Sequence, residues 1–159
     1  LAVALTFIII FSLVPFFSTL SKASFDTDWP YVRAMTWAHD NMKNARVMSD
    51  PYTLYMFQPY AQIIPAYREI RTLKNVQKNP YISEVLLTTD ADTAYRFLIQ
   101  KHISYVMFDT YWTPGWSGGS FEKFDDVRYY EPVYSVRHKI VDGEFRIYRV
   151  LNPVETSRD

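Results

Sequence analysis

Hydrophobic and polar positions divide the chain into an uncharged apolar opening and a longer amphipathic remainder. The opening run LAVALTFIIIFSLVPFFSTL is broken only by Thr6, Ser12, Ser18 and Thr19. A helix needs ~20 apolar residues to cross the hydrocarbon core of a bilayer. The pattern therefore predicts a transmembrane helix over residues 1–21, kinked at Pro15, a distortion tolerated where neighbours satisfy the freed carbonyl. A signal peptide would add a basic leader and a small-residue cleavage site. Ser21-Lys22-Ala23 offers only a faint form of the second, and no basic residue precedes the run.

Residues 22–28 form a polar linker, and the rest alternates between helical and strand periods. Asp28 and Pro30 mark a helix start, a capping carboxylate followed by a ring suited to the first turn. Ala34, Met35, Ala38 and Met42 then share one apolar face, with Trp37 beside it, and the helix is expected to fade near residues 41–44. Residues 46–49 read as a short strand stopped by Asp50-Pro51. Residues 52–60 read as a short aromatic helix or irregular turn, and the weak alternation over 67–72 as a second strand. Asn79-Pro80 opens a helical turn over 81–87. Residues 88–90 cap a helix running to Lys101 with Ala91, Ala94, Phe97 and Leu98 on its core face.

Residues 103–109 (ISYVMFD) are a nearly continuous apolar run, the pattern of a strand buried on both faces. The loop that follows, residues 110–119, is rich in Gly and Pro. Residues 121–126 suit one helical turn. Residues 132–140 and 145–151 flank an Asp142-Gly143 turn, a strong hairpin signal. The predicted fold is α/β: an N-terminal transmembrane helix, then a three-layer Rossmann-like domain with a mixed sheet and a C-terminal β-hairpin. Its divisions are the span at 1–21, the linker at 22–28, the domain at 29–152 and a polar tail at 153–159. Val47, Val106 and Phe108 are expected to be buried in neighbouring parallel strands, and Trp29 to sit near the membrane interface.

Charge and composition narrow the partners. Lys+Arg and Asp+Glu balance at 17 each, so nothing favours a nucleic-acid partner. The absence of cysteine removes a disulfide framework, thiol chemistry and Cys-ligated zinc. The segment after the span offers Lys22 against Asp26 and Asp28, without the Lys/Arg enrichment of a cytoplasmic flank. The expectation is a cell-membrane protein with its domain on the extracytoplasmic side, whose partners are the bilayer and other membrane helices or subunits. The opening on Leu1 rather than Met leaves two expectations, the tail of a longer protein in which this helix is the last of several, or a single-span chain.

Candidate chemistry is sparse. Asp26 and Asp28 form a D-x-D pair of the kind that holds Mg²⁺ or Mn²⁺ through oxygen ligands, but the routine use of Asp at this place, a helix cap with an acidic neighbour, is the reading preferred, and no metal site is assigned. Asp50 and Asp109 each end a predicted parallel strand, where ligands of open α/β sheets bind. With Tyr111, Trp112 and Trp116 they make a candidate crevice of carboxylates and aromatic faces suited to a sugar or lipid-linked glycan. The ordinary alternative is that Asp50 starts a turn and Asp109 caps the next segment. His39, His102 and His138 show no ligand spacing and read as structural. Arg68, Arg71, Lys74 and Lys78 read as a solvated basic face. Phosphate-loop, nucleophile-elbow and zincin patterns are all missing, and no residue is assigned to catalysis.

The order of these motifs resembles a known class of domain. The last membrane helix, the Asp/Trp entry to a helix ending at Asn41-Met42-Lys43-Asn44, the run Ala45-Arg46-Val47-Met48-Ser49-Asp50-Pro51, the strand from His102 to Asp109 and the terminal Phe145-Arg146-Ile147-Tyr148-Arg149-Val150 are its parts. Together they look like the C-terminal extracytoplasmic domains of multipass glycosyltransferases that use polyprenyl-phosphate sugars, such as dolichyl-phosphate-mannose-dependent enzymes and archaeal oligosaccharyltransferases. The Trp-Trp-Asp-Tyr-Gly motif of the oligosaccharyltransferase tail is missing. The catalytic carboxylates of such enzymes lie on loops between membrane helices. The resemblance therefore implies a docking or acceptor-binding accessory domain, with any divalent cation belonging to the parent enzyme. A single-span accessory subunit of a membrane complex, without enzymatic activity, is the alternative.

Overall fold

The computed structural model describes residues 30–67, 78–111, 113, 121–139 and 142–152. The predicted span, the linker with Asp26, Asp28 and Trp29, and the polar tail lie outside them. Among the described residues no helix is long and apolar enough to cross a membrane. The fold is mixed α/β with a five-stranded sheet in the order β2-β1-β3-β5-β4. In chain order the elements are α1 (Pro30–Asn41), β1 (Arg46–Met48), α2 (Pro51–Ala61), β2 (Ile64–Pro65), a π-helical segment (Ile82–Leu87), α3 (Ala91–Gln100), β3 (Tyr105–Asp109), a 3-10 turn (Glu122–Asp125), β4 (Tyr130–Arg137) and β5 (Glu144–Val150).

Strands β2, β1 and β3 are parallel, and β5 joins β3 and β4 in antiparallel pairs. The crossover through α2 carries the chain from β1 to its neighbour β2, and the chain then returns past β1, with α3 leading into β3, so β1 and β3 lie inside the sheet. Their side chains are accordingly apolar in both directions. Val47, Val106 and Phe108 are fully buried, as the sequence predicts, and so are Met48 and Met107. Tyr31 of α1, Phe57 of α2 and Phe145 of β5 form one aromatic cluster. Phe108, Tyr148, Phe121 and Phe124 form another, with the Phe108 and Phe121 rings stacked at 4.2 Å.

The helices follow their local signals. Ala34, Ala38 and Met42 of the first helical stretch are buried as expected. Asp90 caps α3 by accepting hydrogen bonds from the Asp92 and Thr93 amides. Asn44, Gln62 and His102 adopt left-handed backbone angles just past α1, α2 and α3, so each helix ends without glycine in a chain that has only four. The second strand departs from expectation. It is the two-residue β2 at Ile64–Pro65, upstream of the predicted 67–72 stretch; Tyr67 lies in a bend and residues 68–77 lie outside the described set. A strand this short leaves no alternation to read.

Candidate functional site

The carboxyl ends of β1 and β3 bring Asp50 and Asp109 together, as the sequence predicts, but around a closed cluster rather than an open crevice. Asp50 is 2% exposed and Asp109 0%. The Asp50-Pro51 sequence explains the first position. With its backbone extended, Asp50 caps α2, its Oδ1 accepting from the amides of Tyr52 (3.1 Å) and Thr53 (3.0 Å). Its Oδ2 accepts hydroxyl hydrogen bonds from Thr53 (2.7 Å), Thr113 (3.2 Å) and, at 3.5 Å, Ser49. Both carboxylate oxygens are engaged.

Asp109 is the last residue of β3 and pairs with Phe145 across the sheet. Its Oδ1 accepts from the Tyr111 amide at 2.8 Å, the local turn that Asp favours. Its Oδ2 lies 2.8 Å from Nε2 of His138, whose side chain is 8% exposed. Thr113 links the two strand ends. Its amide donates to the Asp109 carbonyl, and its hydroxyl accepts from the Asp109 amide while donating to Asp50.

Two buried tyrosines flank the acids. Burial first, and the Asp109 carboxylate second, hold the Tyr31 phenol well above the ordinary tyrosine range. Tyr67 donates to the Ser49 carbonyl at 2.7 Å, and burial with the nearby Asp50 raises it likewise. Neither phenol is a proton source near neutral pH. The arrangement is that of a satisfied polar network inside a low-dielectric core, in which each carboxylate is balanced by donors already fixed in place. Among the described residues no group of three or more His, Cys, Asp or Glu is placed to hold a metal ion.

The remaining predicted site residues divide. Tyr111 is at the cluster's rim, 49% exposed, with its ring 6.4 Å from that of His138. Trp112 and Trp116 lie outside the described residues. Sequence reading missed Thr53, Thr113, Tyr31 and the role of His138. The Asp-x-x-Thr spacing of Asp50 and Thr53 was a usable capping signal, and Thr113 four residues after Asp109 another. His138 gave none, because its place depends on hairpin register. A second feature, a shallow groove of about 910 Å³, is lined by Met35 of α1, Tyr55, Met56 and Pro59 of α2, and Ile63 and Ile64.

Comparison with known proteins supplies no relative: no family model, no curated protein and no solved structure matches the chain.

Proposed function

We propose that the chain is a membrane-tethered accessory domain that docks or presents rather than catalyses, of the kind carried on the extracytoplasmic side by polyprenyl-phosphate-sugar-dependent glycosyltransferases. The observation that carries this reading is the closed state of the strand-end cluster. Asp50 and Asp109 stand where an α/β domain keeps its reactive groups, and their oxygens serve the fold instead. In this reading the fold is a three-layer, Rossmann-like arrangement behind a transmembrane helix at residues 1–21. The uncharged opening run and the acidic Asp26 and Asp28 beside it support the tether and its sidedness.

The test reconstitutes the full chain in nanodiscs with a polyprenyl-phosphate mannose and a peptide or glycan acceptor. The expected result is no mannosyl transfer by the chain alone, and a lowered melting temperature in Asp109→Asn. Transfer that Asp109→Asn abolishes while melting like the native chain would overturn the proposal.

A further inference from the structure

The chain enters the described domain at the carboxyl end of its central strands. Helix α1 begins at Pro30, and the next residue, Tyr31, packs its ring against His138 at 6.2 Å and Phe145 at 5.4 Å. Phe145 pairs with Asp109, so α1 starts at the carboxyl end of β3. Only the eight residues 22–29 separate the uncharged run from that point. Fully extended, eight residues reach about 29 Å. A domain of about 120 residues is roughly 35 Å across. The linker is shorter than the domain is tall, so the strand-carboxyl end stays within about 29 Å of a bilayer that holds residues 1–21.

That end carries two half-exposed tyrosines. Tyr52, in the first turn of α2, is 51% exposed, and Tyr111, just after β3, is 49% exposed. Tyrosine is enriched at the membrane–water boundary, where the ring meets the acyl boundary and the hydroxyl meets headgroups. Asp50 and Asp109 at the same end are buried and bonded inward, which leaves Asp142, exposed in the hairpin turn beside Tyr111, as a carboxylate that meets the headgroup region there.

We infer that the strand-carboxyl end is a lipid-facing surface, with Tyr52 and Tyr111 seated in the interfacial layer of the bilayer. The inference rests on the tethered reading above and adds the domain's orientation to it. The opposite end, at the amino ends of β1 and β3 where Ser104 is exposed, points into solvent.

The chain has no cysteine, so single nitroxide labels can be placed without background. Tyr52→Cys, Tyr111→Cys and Ser104→Cys are made in the full chain and bound to vesicles of phosphatidylcholine with a minority of phosphatidylglycerol. Electron paramagnetic resonance then compares collision with oxygen, which concentrates in lipid, against collision with a water-soluble nickel chelate. The expected oxygen-to-nickel ratio at 52 and 111 is several-fold above that at 104. Equal ratios at all three positions in a chain that floats with the vesicles overturn the orientation and leave the tether standing. Loss of both collisions at 52 and 111 marks a protein partner there and also overturns it. A chain that does not float overturns the tether and the orientation together.

Discussion

His138 follows β4 and Asp109 ends β3, yet Nε2 of the one stands 2.8 Å from Oδ2 of the other, across the end of the intervening strand β5. The contact ties the hairpin to the parallel half of the sheet at its carboxyl end. His138→Ala leaves the fully buried Asp109 carboxylate without that donor and is expected to cost on the order of 3 kcal/mol. Asp109→Asn keeps an acceptor and should cost about 1–3 kcal/mol. The double variant should be less destabilised than the two single losses added together. Strict additivity in denaturant melts would show that the two side chains are not coupled.

Phe108 is fully buried and stacks on Phe121 and Tyr148, with Phe124 tilted against it. Truncation to Ala removes the centre of that cluster and is expected to cost about 3–5 kcal/mol. Chemical denaturation measures it, and a loss close to zero would place the ring at an exposed edge.

Gly143 sits where the hairpin turn passes the end of β3. A β-carbon there would lie 2.9 Å from the Tyr111 β-carbon and 3.3 Å from the Thr110 hydroxyl. The backbone on both sides is pinned, since Thr110 and Glu144 exchange hydrogen bonds and His138 donates to the Gly143 carbonyl. Gly143→Ala should therefore destabilise by about 1–3 kcal/mol through overpacking. A variant melting with the native chain would mean that the turn can open without penalty.

Lys123 is buried with its ammonium near the Leu86 carbonyl (3.3 Å) and over the Phe124 ring (4.9 Å). Burial lowers its pKa to about 8. Between that value and its ordinary one of 10.5 the unfolded chain binds more protons than the folded one, so the burial penalty, complete below pH 8, is relieved as pH rises. The gain approaches roughly 3 kcal/mol over the full interval. Measured from pH 7 to 9.5, stability should climb in the native chain relative to Lys123→Met. Parallel profiles would show that the ammonium is solvated.

Much of this was legible from local pattern. The ISYVMFD run could be read as a central strand because burial on both faces leaves no polar positions to confuse it, and Asp142-Gly143 between alternating segments could be read as a hairpin. Asp50 and Asp109 were placed together by strand topology alone. Their closure was not legible, because it depends on Thr113 bridging two strand ends and on a hairpin register that lays His138 over Asp109. The sequence records neither distance. Strand β2 was invisible for a simpler reason: two residues, one of them Pro65, carry no period.

Both edges of the sheet contain proline, Pro65 in β2 and Pro132 beside the irregularity in β4. Proline lacks the amide hydrogen that an incoming strand would need as a donor, and β2 offers only two residues of template. Edge-to-edge pairing with a neighbouring chain, the usual route from an open sheet to an aggregate, is thus blunted on either side. Contact with another chain is thereby left to the domain's side chains and helices, and its sheet stays the same size.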